Sequence, residues 1–176
     1  ISTSANHACS VYAADLDGDG DLDVLSASEY DDKIAWYKNT DGAGTFGAQQ
    51  VISTAADYAT SVYAADLDGD GDMDVLSTSM NDDKIAWYKN TDGAGTFGPQ
   101  QVISTAVDDP ESVYAADLDG DGDLDVLSAC YFKIACYVNA DGAGNFGPQH
   151  VISTAADGAE SVYAADLDGD GDLDVL

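Results

Sequence analysis

A nine-residue acidic loop occurs four times in this chain and holds most of the residues that could do chemistry. Its pattern is D-x-D-G-D-G-D-x-D, and the copies begin at Asp15, Asp66, Asp117 and Asp166. Aspartates fall at positions 1, 3, 5, 7 and 9, and a glycine stands at position 6. Calcium-binding loops space their oxygen ligands in this way, and the glycine allows the left-handed turn that folds the chain around an ion. The pattern therefore predicts one metal site in each loop.

All the loop aspartates are candidate metal-site residues. We expect side-chain oxygens from positions 1, 3, 5 and 9 and a backbone carbonyl from position 7. The predicted residues are Asp15, Asp17, Asp19, Asp21, Asp23, Asp66, Asp68, Asp70, Asp72, Asp74, Asp117, Asp119, Asp121, Asp123, Asp125, Asp166, Asp168, Asp170, Asp172 and Asp174. An EF-hand would have a bidentate Glu at position 12, where this chain has Ser26, Ser77 or Ser128. We therefore expect a β-hairpin loop that the aspartate at position 9 closes.

Crowding of the carboxylates also indicates a cation. Two carboxylates about 4 Å apart repel each other by roughly 4 kcal/mol at an effective dielectric constant near 20. Aspartate also favours solvated turns that need no metal, but that alternative hardly explains the same five aspartates in four copies. Donor sets made only of oxygen select hard cations, and Ca²⁺ tolerates compact, irregular sites better than Mg²⁺ does. We expect about four Ca²⁺ ions, one per loop.

The sequence around the loops repeats as well, which indicates a modular fold. The loops start 51, 51 and 49 residues apart, so the unit is a module of about 50 residues. Short runs rich in Val, Ile, Tyr and Trp lie between clusters of Gly, Asp and Asn, as β-strands do. In the first unit they predict strands near 10–15, 23–28, 33–39 and 47–54. No window has a helical period over ten or more residues, so helix should be nearly absent.

Four-stranded sheets repeated about an axis form a β-propeller, and the strands favour this all-β fold. The first two strands of a unit are apolar on both faces, so other sheets should cover each sheet on both sides. We expect Trp36, Tyr37 and Phe46 to pack in the core. The chain should be a single array of four-stranded antiparallel blades over residues 1–176, with blades near 10–54, 61–105 and 112–154 and a half blade at 161–176.

Three and a half blades cannot close into a ring on their own. A fragment of a larger propeller or array, a half-propeller that dimerises towards seven blades, and an open spiral of blades all remain possible. The fragment is favoured, because an uncapped repeat would expose an apolar sheet face.

A Phe-Gly element lies downstream of each of the first three loops, at 45–47, 96–98 and 145–147. Together with the loop, this element makes the unit resemble the FG-GAP or VCBS-type repeat over essentially the whole chain. The resemblance implies a calcium-binding β-propeller like the head of integrin α chains, with calcium in the hairpin between the first two strands of a blade. It also implies a secreted or surface protein used in adhesion, although some members are lectins and others decorate larger enzymes.

The net charge of −29 restricts the partners. Thirty-four acidic residues stand against five lysines and no arginine, and four Ca²⁺ ions would still leave −21. Nucleic acid is therefore excluded as a direct partner, and so are anionic membranes. No apolar run is long enough to span a bilayer, so we expect no membrane insertion. A salt-rich exterior would screen such a surface, which favours an extracellular or cell-surface location. All the lysines lie on or beside the third strand of a unit, at Lys33, Lys38, Lys84, Lys89 and Lys133.

The sequence does not decide whether the three cysteines form disulfides. Cys130 and Cys136 flank the hairpin of the third unit, which lacks the Asp-Asp pair found in the first two units. They could form a disulfide across that hairpin or remain two buried free thiols. Cys9 has no obvious partner and could pair between chains or not at all.

The residues indicate a binding or structural role, not catalysis. The carboxylates stand at ligand spacing, no nucleophile recurs with a base, and His7 and His150 each occur in one copy only. The first hypothesis is an extracellular structural or adhesion module, stiffened by calcium, whose partners are protein neighbours or further copies of itself. The alternative is a glycan-binding propeller that uses Tyr58, Tyr131 and Asp108-Asp109 at the blade junctions.

Overall fold

The chain folds into a series of antiparallel β-sheets. The computed structural model describes residues 1–176, and none of them is helical. Each of the first three units forms one four-stranded sheet whose strands pair in chain order, and the fourth unit forms a two-stranded sheet. The strands are β1 (Ala8–Ala14), β2 (Asp23–Ser28), β3 (Lys33–Tyr37), β4 (Gln50–Ser53), β5 (Ala59–Ala65), β6 (Asp74–Ser79), β7 (Lys84–Tyr88), β8 (Gln101–Ser104), β9 (Pro110–Ala116), β10 (Asp125–Cys130), β11 (Lys133–Tyr137), β12 (His150–Ser153), β13 (Ala164–Ala165) and β14 (Asp174–Val175).

This arrangement confirms the predicted all-β class and the four strands per unit. β2 has the predicted bounds, whereas β1 begins two residues before the predicted start and β3 ends at Tyr37, two residues before the predicted end. Beyond β3, pairing continues only as a single bridge between Asn39 and Phe46. The amide of Gly47 bonds to the carbonyl of Lys38 at 2.8 Å, in a turn that precedes β4. β4 is therefore shorter than predicted.

Successive sheets pack with their first strands side by side. Tyr12, Tyr63, Tyr114 and Tyr163 occupy the same position in the four units and form a continuous row. The centroids of neighbouring rings in this row are 4.6, 4.9 and 4.7 Å apart. The row places β1, β5, β9 and the start of the fourth unit next to one another, as the inner strands of propeller blades are placed.

The hydrophobic core lies between the sheets. Leu25, Ile34 and Trp36 of the first sheet pack against Val62 and Val75 of the second. A second cluster fills the space between the second and third sheets, and a smaller one lies between the third sheet and the fourth unit. Burying apolar side chains contributes roughly 25 cal/mol per Å². Packing between units therefore contributes to the stability of the chain.

Each tryptophan packs between its own sheet and the next one. Trp36 is 3% exposed and meets Phe97 of the following unit edge-on, with ring centroids 6.4 Å apart. Gly95 lies against the same indole ring, and a Cβ at this position would clash with it. Trp87 and Phe146 repeat the arrangement one unit later. The predicted core role of Trp36 is confirmed, and the contact explains why a glycine lies two residues before Phe97.

All three cysteines are free, so the disulfide between Cys130 and Cys136 does not form. In the ladder between β10 and β11, Cys130 pairs with Lys133 while Cys136 pairs with Leu127. The two cysteines are thus three positions apart along the hairpin, and alternation along a strand sends their side chains to opposite faces. Cys130 packs between the second and third sheets, whereas Cys136 packs towards the fourth unit. The alternative of two free thiols is the correct one.

The clash at Gly95 generates a stability prediction. Gly95 and Gly44 both have positive φ, +82° and +92°, but only Gly95 faces a tryptophan, while Gly44 has open space around it. Gly44→Ala should cost about 1 kcal/mol of unfolding free energy from backbone strain alone. Gly95→Ala should cost about 3 kcal/mol, because overpacking against Trp36 adds to that strain. Urea unfolding measures the loss of unfolding free energy in each variant. Equal losses would contradict close packing of Gly95 against Trp36.

Candidate metal sites

Each acidic loop connects the first and second strands of its sheet and is closed by its own first aspartate. In the first loop, Asp15 accepts hydrogen bonds from the amide of Asp19 at 3.1 Å and from the amide of Gly20 at 2.9 Å. Gly20 has a φ of +92°, the left-handed conformation that its position in the loop predicts. The bond from position 6 to position 1 recurs in the other loops, from Gly71 to Asp66, Gly122 to Asp117 and Gly171 to Asp166.

The loops bring three carboxylates together in every unit. In each group, one oxygen per residue lies within 4.8 Å of the others. Positions 1 and 3 belong to all four groups, whereas the third member is position 5 in the first two loops and position 9 in the last two. The groups are Asp15, Asp17 and Asp19; Asp66, Asp68 and Asp70; Asp117, Asp119 and Asp125; and Asp166, Asp168 and Asp174.

Buried oxygens without a hydrogen-bond partner make the first two groups compatible with a cation. The side chains of Asp17 and Asp68 are only 5% and 7% exposed. Their Oδ1 atoms are buried without a hydrogen-bond partner, and so is Oδ1 of Asp66. An unpaired buried polar atom costs about 1 to 3 kcal/mol, and more when it carries charge. Carboxylate oxygens are the ligands that Ca²⁺ prefers, so the donor set fits the predicted ion.

The aspartate at position 9 has a structural role that the sequence did not reveal. Asp23 is fully buried, and its two oxygens accept hydrogen bonds from the amides of Leu16 at 3.1 Å and Asn39 at 2.7 Å. This carboxylate therefore ties the loop to the end of the third strand. The same pair of bonds recurs at Asp74 and Asp125. Burial raises the pKa of Asp74 to about 7, although its two amide bonds act in the opposite direction.

Aspartates at position 7 turn their side chains away from the carboxylate groups. The Asp21 carboxylate lies against Gly42, in the turn that follows the third strand, and leaves no room for a Cβ there. Asp72 and Asp123 meet Gly93 and Gly142 in the same way. The side chain at position 7 is therefore outside the carboxylate group, and a ligand role for its backbone carbonyl stays a prediction.

The loops also contact the neighbouring sheet. The side-chain amide of Asn90, at the end of the third strand of the second unit, donates to the carbonyl of Leu16 in the first loop at 2.9 Å. Asn139 makes the equivalent bond to Leu67 in the second loop at 2.8 Å. Each of these carbonyls belongs to position 2 of its loop. The first and second loops are therefore fixed at one end to their own sheet and at the other to the next sheet.

Two lysines reach the acidic loops, a contact that the sequence pattern did not predict. Lys38 binds Oδ2 of Asp17 and Oδ2 of Asp19, the latter at 2.9 Å. Its ammonium group is the main cause that holds the pKa of Asp19 below its usual value. Lys89 makes the same contacts with Asp68 and Asp70. The positions of these lysines in the sequence could have indicated the contact. Both come directly after the third strand, and the end of this strand lies beside the loop.

The residues predicted for sugar binding divide into two places. Tyr131 is 45% exposed, packs edge-on against Phe132 with centroids 4.6 Å apart, and donates its backbone amide to the carbonyl of Asp108. Asp109 shares the same junction. Tyr58 belongs to the preceding junction, where its backbone amide bonds to Asp32 at 3.0 Å. The structure thus brings Tyr131 together with Asp108 but places Tyr58 elsewhere.

Comparison with known families decides the classification. The FG-GAP-like repeat family matches residues 15–77, 66–128 and 129–176. The chain belongs to the FG-GAP-like repeat family. The matched segments contain all four acidic loops, so the resemblance drawn from the loop and the Phe-Gly element is confirmed. A comparison with curated protein sequences finds no match.

Solved structures with the same fold come from proteins of several kinds. An Agrocybe aegerita lectin that recognises non-reducing terminal N-acetylglucosamine is 24% identical, with a TM-score of 0.60 over 84% of this FG-GAP-like chain and 38% of the lectin. The rhamnogalacturonan lyase YesW is 19% identical, with a TM-score of 0.60 over 98% of this chain and 40% of the lyase. The V. cholerae biofilm matrix protein Bap1 is 20% identical, with a TM-score of 0.51 over 98% of this chain and 28% of Bap1.

These similarities support the propeller-like fold alone. The chain spans well under half the length of each of the three proteins. The structure has no helix with the length and apolarity that crossing a membrane requires.

The two kinds of loop aspartate should respond differently to substitution. Asp74→Asn places an NH₂ group against one of two backbone amides and leaves that buried donor unpaired, so it should cost about 1 to 3 kcal/mol even in chelator. Asp70→Asn changes an exposed carboxylate and should stay within about 0.5 kcal/mol under the same conditions. Urea unfolding in excess chelator tests both. Similar losses for the two variants would show that Asp74 has no separate structural role.

Proposed function

We propose that this FG-GAP-like chain is an extracellular, calcium-binding structural and adhesion module in which Ca²⁺ rigidifies the first hairpin of each blade. The observation that carries the proposal is the set of unpartnered, buried carboxylate oxygens on Asp17, Asp66 and Asp68. They lie in loops that are hydrogen-bonded to the next sheet through Asn90 and Asn139. A change in loop order is therefore transmitted to the packing between blades.

The side chains divide the work of binding. Positions 1, 3 and 5 hold the ion in the first two loops, with the carbonyl of position 7, and the buried aspartate at position 9 keeps the loop against its sheet. Bound Ca²⁺ supplies the positive charge that offsets the repulsion among these carboxylates. Binding to the folded state alone stabilises it by about 2.7 kcal/mol per site when free calcium is a hundred times Kd. Extracellular modules commonly bind with Kd values of about 0.1 to 1 mM.

An extracellular location and protein partners fit the surface. The formal charge of −29 disfavours nucleic acid and anionic membranes, and a saline exterior screens it. Repetition of nearly the same unit suits a stiff scaffold that meets protein neighbours or further copies of itself. The biofilm matrix protein with a similar fold agrees with this environment. No catalytic role is proposed, because the clustered carboxylates stand at ligand spacing and lack a recurring nucleophile with its base.

Calcium should raise the melting temperature of this chain. The increase should grow with free Ca²⁺ and be much smaller with Mg²⁺, since Mg²⁺ demands a more regular, more hydrated site. The double change Asp68→Asn and Asp70→Asn should reduce the increase by at most about a quarter, because it removes one of four loops. Differential scanning calorimetry in chelator, calcium and magnesium measures these shifts. An unchanged melting temperature across the calcium titration would refute calcium binding as a stabilising device.

Glycan binding is the second candidate function. It is favoured by the exposed Tyr131 and Phe132 beside Asp108, since aromatic faces and carboxylates together suit sugar recognition. The lectin with a similar fold adds support at the level of fold only. If this candidate is correct, the calcium-loaded protein binds sugars on a glycan array, and Tyr131→Ala reduces that binding while Tyr163→Ala, at an exposed tyrosine of the fourth unit, does not. Absence of any sugar signal would remove the candidate.

A further inference from the structure

Lysines contact the clustered carboxylates of the first two loops. We propose that Lys38 and Lys89 compete with the divalent cation for these loops, whereas the third loop, with Val138 at the same position, takes the cation without displacing a lysine. The inference rests on the proposed calcium binding and assigns a different affinity to loops of nearly identical sequence. It makes the residue after the third strand, which lies outside the loop, a determinant of loop affinity.

The contacts of Lys38 place its ammonium group on the predicted ligands. Its Nζ atom binds Oδ2 of Asp17 and lies 2.9 Å from Oδ2 of Asp19. Both aspartates belong to the group of three carboxylates in the first loop. A cation coordinated by these oxygens and an ammonium group bonded to them carry the same sign of charge and use the same atoms. Binding of the cation therefore requires the lysine to leave at least part of this position.

The second loop reproduces the arrangement independently. Lys89 binds Oδ2 of Asp68, and its Nζ atom lies 2.9 Å from Oδ2 of Asp70. In both loops the lysine uses Oδ2 only, and Oδ1 of Asp17 and of Asp68 stays buried without a partner. A single ammonium group thus neutralises only part of the negative charge of the loop. It leaves buried oxygens without a partner, and a cation with several coordination positions can bind them.

The third loop lacks this contact. Val138 stands where the first two units have Lys38 and Lys89, and its side chain has no charge. The group of three carboxylates there consists of Asp117, Asp119 and Asp125, so it includes the aspartate at position 9. This loop also differs in its surroundings, because the cavity between it and residues 171–173 of the fourth loop is about 410 Å³, whereas the equivalent cavity between the second and third loops is about 190 Å³. A comparison between loops therefore mixes two differences, and changes within one loop are needed to isolate the lysine.

The test uses reciprocal substitutions in the whole chain, with calcium as the probe. Lys38→Met removes the competitor from the first loop, and Val138→Lys introduces one into the third. Lys33→Met is the matched control, since it removes the same charge from the start of the third strand, where this lysine pairs with Asp31 and not with the loop. Lys89→Met repeats the test in the second loop. The inference can therefore still be tested if Lys38→Met does not fold.

Loop-resolved affinities come from ¹H–¹⁵N NMR during a calcium titration. The amides of Gly20, Gly71 and Gly122 report the first, second and third loops, because each bonds to the first aspartate of its own loop. Lys38→Met should tighten calcium binding at Gly20 by about tenfold, the size expected when one charged hydrogen-bonded pair no longer opposes binding. Gly122 should be unaffected by that change, and Val138→Lys should weaken binding there by about tenfold.

The outcomes separate this inference from the function on which it rests. Equal tightening of the first loop by Lys38→Met and Lys33→Met would overturn the inference, because overall charge and not direct competition would then set the affinity. Calcium binding at all loops with no response to Lys38→Met or Lys89→Met would overturn it as well, while the proposed function would stand. If none of the three reporter amides responds to millimolar calcium, the proposed function fails, and the inference fails with it.

Discussion

The crowding of carboxylates at the junctions between sheets is the constraint on which the rest of this structure depends. Three carboxylates meet in each loop, and in the first two loops the backbone is bonded to the following sheet through Asn90 or Asn139. Repulsion within a loop is therefore not confined to a flexible surface turn. It acts at the place where one hydrophobic cluster between sheets meets solvent, in a chain whose formal charge is already −29.

The chain meets this repulsion with two kinds of positive partner. Backbone amides satisfy the aspartates at positions 1 and 9, as at Asp15 and Asp23. Lysine ammonium groups satisfy Oδ2 of Asp17 and of Asp68 in the first two units. What remains is a set of buried oxygens, Oδ1 of Asp17 among them, that no group of the protein reaches. A divalent cation is the natural complement of that remainder, and this is the physical basis of the proposed function.

Much of the fold was predictable from the sequence, because the information is local and repeated four times. Glycine at position 6 requires a left-handed turn, and Gly20 has one. Strands apolar on both faces predict sheets on both sides, and the second sheet has them: Val62 and Val75 pack towards the first sheet, whereas Leu76 and Ile85 pack towards the third. The prediction missed what depends on distance through space. The contact of Lys38 with Asp17 joins residues 21 positions apart, and the bond from Asn90 to Leu16 joins residues 74 positions apart. The sequence alone could not decide between a disulfide and two free thiols at Cys130 and Cys136. That decision depends on the register of the β10–β11 ladder, which residue composition does not give.

Hydrogen exchange across one junction tests the central claim most directly. If order in the first loop is transmitted to the second sheet through Asn90, amides on both sides of this junction should respond to calcium together. In mass spectrometry of the whole chain, segments containing Leu16 and Asn90 should both exchange more slowly in calcium than in chelator, with the same calcium midpoint. Protection limited to the loop, with no change around Asn90, would contradict the coupling of the loops to blade packing.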